Sequence, residues 1–383
     1  MRTFDAMLLD KVQPRSDTIV SLLYACVNTR WPEKIMDVYR SLPRLGIPLT
    51  NSIFAALTAV SSRAANQLPM AEFFFREYLA RESEQPRGPS VQVYSAMISA
   101  YGRHGRIADA ERLFSELESS SPSVPILRAV NALIVAYGLN GMAQKARDTF
   151  DGMAAKHSLT YQSATYGALV EALSRCGDSA DAAQVLESMR RAGYSPTPAH
   201  YGSILHGLLA HDQHEQAAEL FERMKELRAT SVVAFGMMIE ASSRRRDYAK
   251  CEQLLAEMKR FGFEPTVDVL RIMMRAAVRA RRLDRVLAIG EEIRTRTHSE
   301  DDLALPLVME AHLQAKKHDV AVDIFRRIRT AVPAAVPVAL TTLLNFYRKE
   351  KMTTRLNDLW AARQSTLDWL KRDMLMVTQR LGG

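Results

Sequence analysis

The chain has 383 residues, with 51 Lys+Arg against 43 Asp+Glu and a formal net charge of +8. Hydrophobic residues at 47%, charged residues at 25%, 17 Gly and 15 Pro exclude collagen-like and disordered classes. No apolar run reaches the ~20 residues a membrane-spanning helix needs, and Cys26, Cys176 and Cys251 form no CxxC pair, so neither a disulfide framework nor a zinc module is supported.

The charge is unevenly spread: residues 1–190 hold 20 Lys+Arg against 19 Asp+Glu, residues 191–383 hold 31 against 24. A basic half points to an anionic partner, nucleic acid or a lipid surface, with plain solubility as the alternative. A chain of this length with one core usually splits into domains, but a stack of repeats escapes that limit because each unit packs only on its neighbours.

In chain order, residues 1–15 read as a lead-in around Met7-Leu8-Leu9, too short and too acidic (Asp5, Asp10) for a convincing targeting segment. The first repeat is Ser16–Thr50, with helices predicted over Thr18–Asn28 and Pro32–Leu42, closed by Gly46-Ile47-Pro48. The second, Asn51–Ser90, is about five residues longer, the excess falling in Ser61–Leu68 and Arg81–Pro89. Repeats three to five are Val91–Ile126, Leu127–Gln162 and Ser163–Thr197, with Gly105, Gly141 and Gly177 at one place in the turn between helices. Repeats six to nine are Pro198–Ser231, Val232–Thr266, Val267–Asp301 and Asp302–Val336. The tenth begins at Pro337 and its second helix runs to Trp360; residues 361–383 read as an amphipathic capping helix.

The register rests on recurrent residues. Place four holds Phe54, Tyr94, Val130, Tyr166, Tyr201, Phe235, Leu270, Leu305 and Leu340, at spacings of 40, 36, 36, 35, 34, 35, 35 and 35. The second helix is built on Ala110, Ala146, Ala182, Ala217, Cys251, Val286 and Ala321. A bulky apolar residue follows four later at Phe114, Phe150, Leu186, Phe221, Leu255 and Phe325. Such a period signals stacked two-helix units, and the array is read as one domain over residues 16–360. Met153, Met189, Met224 and Met258 form a stripe that belongs, by spacing, to the hairpin core.

The runs VQVYSAMISAYGRHGRIADAERLFSEL (Val91–Leu117) and SATYGALVEALSRCGDSADAAQVLESMRRAGYSPT (Ser163–Thr197) closely resemble pentatricopeptide repeats, of the plain type without a C-terminal editing or nuclease domain. The resemblance covers nearly the whole chain and is strongest in repeats three to eight. It implies an all-α, right-handed superhelical solenoid of about ten two-helix repeats whose first helices line a concave groove. The implied partner is RNA, single-stranded or ribosomal, read by two or three side chains per repeat, with organellar ribosomal or RNA-processing proteins as further partners. The implied setting is organellar gene expression (RNA processing, stability or translation) in the mitochondrial matrix, the plastid being the alternative. No cofactor is implied.

By position, the resemblance places base-reading residues at place five and at the last place of each repeat: Ser95, Asn131 and Arg271 at the former, Gln162, Thr197, Ser231, Thr266 and Asp301 at the latter. Place five is otherwise poor in donors and acceptors, with Val20, Ala55, Gly167, Gly202, Gly236 and Pro306. This favours a grip on phosphates, of structured or ribosomal RNA, over sequence reading. Place thirteen, at the end of each first helix, holds Arg63, Arg103, Arg175, Arg244, Arg279 and Lys349. A row of cations at the repeat interval is the footprint a phosphate backbone needs; the alternative is that helix C-termini favour Lys and Arg through their dipole. The runs Arg244-Arg245-Arg246, Arg279 with Arg281-Arg282, and Lys316-Lys317 add to the first reading.

Catalytic motifs are missing. The residues after Trp360 contain neither His nor Cys, so a deaminase signature is excluded there. Asp301-Asp302 is one acidic pair, suited to helix capping rather than to a metal. His206, His211 and His214 span a turn and read as surface histidines. The chain is therefore expected to be a non-catalytic RNA-binding protein without a metal site; a protein-interaction scaffold, such as a structural subunit of an organellar ribosome, is the second reading.

Overall fold

A computed structural model defines the fold; it describes residues 15–28, 33–63, 68–84, 88–120, 126–157, 161–297, 304–331 and 336–350. The expected lead-in (residues 1–14), Asp301, Asp302, the second helix of repeat ten and the capping helix over 361–383 lie outside the described residues. The described residues form nineteen α-helices and one 3-10 turn, with no strand among them.

The helices pair as the register predicts. Repeat one pairs Ser16–Asn28 with Glu33–Ser41, repeat two Asn51–Ser61 with Leu68–Glu84, repeat three Val91–Arg103 with Ile107–Ser120, and repeat four Leu127–Leu139 with Ala143–His157. Repeat five pairs Ser163–Arg175 with Ser179–Arg191, repeat six Pro198–Ala210 with His214–Glu226, and repeat seven Val232–Arg244 with Tyr248–Arg260. Repeat eight pairs Val267–Arg279 with Leu283–Thr297, repeat nine Ala304–Gln314 with His318–Ala331, and Val336–Lys349 is the first helix of repeat ten.

The chain divides into two compact units, Met1–Ala229 and Thr230–Gly383. Within each, a first helix packs on its own second helix and on the first helix of the next repeat, the arrangement of a helical-repeat solenoid. The core is made of the recurrent residues. Ala110, Ala146, Ala182, Ala217, Cys251, Val286 and Ala321 are all fully buried, as are Met189, Met224 and Met258. A small residue there lets the two helices of a hairpin approach closely, and the bulky residue four later fills the space beside it.

First helices approach one another along a second column of small residues, which periodicity of the bulky residues does not reveal. A Cβ on Gly138 would stand 2.3 Å from the Cα of Ala172, and one on Gly102 2.4 Å from the Cβ of Ala136. The column at place ten is Ala100, Ala136, Ala172, Gly207, Ala241, Ala276 and Ala311.

The inter-helix turns of repeats three to nine close in one way. The backbone N–H of Arg106, Met142, Asp178, Gln213, Asp247, Arg282 and Lys317 returns to the carbonyl five residues earlier at 2.8–3.0 Å. This is a Schellman closure, which requires the preceding residue to be left-handed. Gly105, Gly141 and Gly177 supply that conformation in repeats three to five. In repeats six to nine the same place is Asp212, Arg246, Arg281 and Lys316, at φ of 57°, 62°, 57° and 60°.

Candidate nucleic-acid interface

In the first unit, the first helices of repeats one to six line one groove of about 680 Å³. It brings together Val20, Ala55, Ser95, Asn131 and Gly167, the place-five residues of five successive repeats. The rest of the lining is mostly Ala and Ser; among the described residues Arg128 is its one Lys or Arg, and Glu171 its one carboxylate. Little donor capacity remains at place five. The Ser95 hydroxyl donates to the Val91 carbonyl at 2.5 Å. Asn131 lines the groove with its Oδ1 buried and without a hydrogen-bond partner among the described residues. Gly167 leaves room for the imidazole of His200, whose Nε2 would lie 2.9 Å from a Cβ there.

The last-place residues are helix N-caps. Ser231 Oγ accepts from the Ala234 N–H at 3.2 Å and Thr266 Oγ1 from the Val269 N–H at 3.3 Å. Thr197 forms a capping box with His200, whose Nδ1 accepts from the Thr197 N–H at 3.0 Å. Gln162 stands at the same place with no side-chain cap bond and is exposed. Capping occupies one acceptor of each hydroxyl, which the family pattern alone does not reveal. Arg271 pairs with Asp268 at 2.7 Å, and Asp301 lies outside the described residues.

The place-thirteen cations are held in different ways. In the first unit, Arg63 lies over the Tyr24 ring at 5.6 Å. Arg103 donates to Ser62 Oγ, in the preceding repeat, at 2.8 Å. Its guanidinium tip lies against Ser62 although the side chain as a whole is exposed. Partial desolvation lowers its pKa from the ordinary value; the charge of Arg63 adds to this and Glu171 opposes it. Arg175 pairs with Glu171 at 3.0 Å.

In the second unit, Arg244 pairs with Glu240 at 2.8 Å, and Arg279 donates to the Ser243 carbonyl, one repeat earlier, at 3.1 Å. Lys349 is exposed. Exposed i,i+4 pairs contribute only ~0.3–0.5 kcal/mol, so Arg175 and Arg244 can exchange their glutamates for another anion. Arg279 instead donates to a last-turn carbonyl of the preceding first helix, which also accepts the Arg246 N–H at 3.1 Å.

That second role extends to place fourteen, which sequence reasoning missed. Asn140 Nδ2 donates to the Gly102 carbonyl at 2.8 Å, His104 Nε2 meets the Ser62 carbonyl at 3.2 Å, and the Cys176 thiol meets the Gly138 carbonyl at 3.8 Å. In repeats three to five the residue one step past the first helix therefore ties adjacent repeats together. The outer helices are tied by ion pairs such as Arg106–Glu72 at 2.6 Å, Lys145–Glu111 at 2.8 Å and Arg285–Glu252 at 2.8 Å.

The three neighbouring histidines are not brought together as a metal site. His211 Nδ1 meets its own helix at the Gly207 carbonyl, His214 faces Asp212 at 3.6 Å, and His206 is exposed. Among the described residues no three His, Cys, Asp or Glu side chains converge as metal ligands, and no helix is long and apolar enough to cross a membrane. Measured on the structural division, residues 1–229 carry 24 Lys+Arg and 24 Asp+Glu, whereas residues 230–383 carry 27 against 19. The net charge of +8 thus belongs to the second unit.

A stack of two-helix units with a groove on its first helices defines a helical-repeat binding protein. The family model described as "Pentatricopeptide repeat-containing protein" matches residues 138–257, and the one described as "PPR repeat" matches residues 92–121. Over these residues the chain carries pentatricopeptide repeats. It is 25% identical over 226 residues to the pentatricopeptide repeat-containing protein CRR2, chloroplastic, of Arabidopsis thaliana, covering 58% of this chain and 32% of that one. It is 22% identical over 282 residues to At3g09650, chloroplastic, of the same plant, covering 69% and 36%. The chain thus spans about a third of the length of these relatives. Among solved structures it is similar to the maize pentatricopeptide repeat protein PPR10 (16% identity, 93% of this chain, 65% of that one, TM-score 0.34). It is also similar to yeast Rmd9p in complex with a 16-nucleotide target RNA (13% identity, 94% and 77%, TM-score 0.40).

Proposed function

We propose that the chain is a non-catalytic RNA-binding repeat protein that holds its RNA mainly through phosphates. The observation that carries this reading is the distribution of charge on the repeat frame. The whole net charge of +8 lies in residues 230–383, where repeated cations stand at the ends of successive first helices. A phosphate backbone offers regularly spaced anions to such a frame. Base reading is a minor part of the reading: Ser95 is bonded to its own helix, Thr197, Ser231 and Thr266 cap helices, and Asn131 with Gln162 remains the best-equipped pair.

The place is an organelle, and the role lies in RNA processing, stability or translation. Both curated relatives are named chloroplastic, which supports the plastid over the mitochondrial matrix. Crosslinking in cells followed by sequencing of the bound RNA tests the reading: the expected result is enrichment of organellar RNA without a long common motif. Recovery of no RNA above background overturns it.

The second reading is a protein-interaction scaffold, for instance on an organellar ribosome. What favours it is the first unit, which is electroneutral and whose groove carries Arg128 as its one Lys or Arg among the described residues. Crosslinks to protein alone are its expected signature.

A further inference from the structure

Three turns of the second unit stand out from their counterparts. The Schellman closure calls for a left-handed residue, and repeats three to five use glycine there. Repeats seven, eight and nine instead put Arg246, Arg281 and Lys316 in that conformation. A side chain with a Cβ is strained at such an angle, and strain of this kind persists where another demand offsets it. A second cation flanks each: Arg245, Arg282 and Lys317. All six side chains are exposed, and none makes an ion pair or side-chain hydrogen bond with a described residue.

Their situation differs from that of Arg244 and Arg279, which are engaged by Glu240 and by the Ser243 carbonyl. The nearest carboxylate in sequence, Asp247, caps its own helix by accepting from the Lys250 N–H at 2.9 Å. Consecutive first helices of this unit pack side by side, so the three turns follow one edge of the stack. Between the second and third of them lies a cleft of about 50 Å³ whose polar lining is Arg281, Arg282 and Gln314. The helix dipole favours cations here, but it does not explain why the strained place itself is cationic, since repeats three to five close equally well on glycine.

We infer that this turn edge of repeats seven to nine, rather than the row at place thirteen, is the principal phosphate-contact surface of the second unit, and that it binds the RNA backbone without regard to sequence. The inference rests on the RNA-binding reading above. Each phosphate contact releases condensed counterions, so every cation that serves steepens the dependence of affinity on salt.

The test uses the full chain and a labelled oligouridine, with anisotropy titrations over a series of salt concentrations. The variant R246N/R281N/K316N replaces the charges with a residue that tolerates the left-handed region. It is expected to keep its helical circular dichroism, to bind more weakly at low salt, and to flatten the log–log salt slope by about 2 units, near 0.7 for each of three lost contacts. R246K/R281K/K316R keeps the charges and is expected to bind as the parent does. R246G/R281G/K316G, which copies the residue used in repeats three to five, is expected to melt at a higher temperature than the parent while binding as weakly as the Asn variant. If the parent binds and the Asn and Gly variants share its slope, the turn edge is not the contact surface. A parent chain that binds no oligouridine and no total RNA overturns the RNA-binding reading itself.

Discussion

The side-chain amide of Asn140 donates to the carbonyl oxygen of Gly102 at 2.8 Å, reaching from the end of one first helix to the end of the one before it. The same amide also donates to the Ala136 carbonyl of its own helix at 2.7 Å. One side chain thus serves last-turn carbonyls of two successive first helices, that of Gly102 also accepting the Gly105 N–H at 3.3 Å, and so links adjacent repeats.

Asn140→Ala is accordingly expected to destabilise the first unit by about 1 kcal/mol or somewhat more, the net worth of the side-chain hydrogen bonds it loses. Denaturant unfolding followed by far-ultraviolet circular dichroism measures it. A change below ~0.5 kcal/mol, ordinary for a surface site, shows that water replaces the amide at no cost.

Two glycines on first helices should answer in opposite directions. A Cβ on Gly202 meets no atom within 4 Å, so Gly202→Ala should stabilise by about 0.5–1 kcal/mol through the backbone entropy of the unfolded chain. A Cβ on Gly138 would meet the Ala172 backbone at 2.3 Å, so Gly138→Ala must push two helices apart and should cost about 1–3 kcal/mol or more. Melting temperatures of the two variants decide it; equal shifts refute the close approach. Gly202→Ala should also leave RNA preference unchanged.

Stability should fall as pH drops through the ordinary histidine range. Burial lowers the pKa of His200, and burial with the charge of Lys317 lowers that of His312. The unfolded chain therefore takes up these protons at a higher pH than the folded one. Stability tied to the neutral rings is present above the unfolded pKa and is lost as pH falls below it towards the folded pKa. Protonation at Nδ1 of His200 would also remove the acceptor of the Thr197 N–H. His200→Gln keeps an acceptor at the third helical position and should lose part of the pH dependence, leaving the share of His312. Thermal melts at pH 5.5 and 7.5 test this; an unchanged difference between the two pH values in the variant excludes His200 as a source.

Cys251 should be inert. It is fully buried and its thiol pKa is pushed up to about 11, chiefly by burial. At pH 8 the native chain should resist alkylation there, since the thiolate is the reactive form. Peptide mass spectrometry after iodoacetamide treatment, with and without denaturant, is the check; modification of Cys251 in the native chain would mean that the hairpin opens readily.

The repeat frame was legible in the residues themselves. Tyr94, Ala110 and Phe114, and their counterparts one period on, set a register that needs only neighbour contacts, so local spacing determined the helices, the hairpins and the buried column from Ala110 to Ala321. The glycine turns at Gly105, Gly141 and Gly177 were equally plain, because a left-handed residue has a chemical signature. What side chains do at the ends of those helices was decided only by tertiary packing. Arg103, Arg175, Arg244 and Arg279 occupy one sequence place, yet the first bonds Ser62, the next two bond glutamates, and the last bonds the Ser243 carbonyl. The reason is physical: Arg175 and Arg244 find an acceptor one turn back on their own helix, whereas the acceptors of Arg103 and Arg279 are brought within reach by the preceding repeat, 41 and 36 residues away in the chain. Ser95, Thr197 and Thr266 follow the same logic, since a hydroxyl aimed at its own helix is no longer offered to a base. Arg246, Arg281 and Lys316 look in sequence like members of charge runs, and only the backbone angle, set by the turn on which each hairpin closes, separates them from their neighbours.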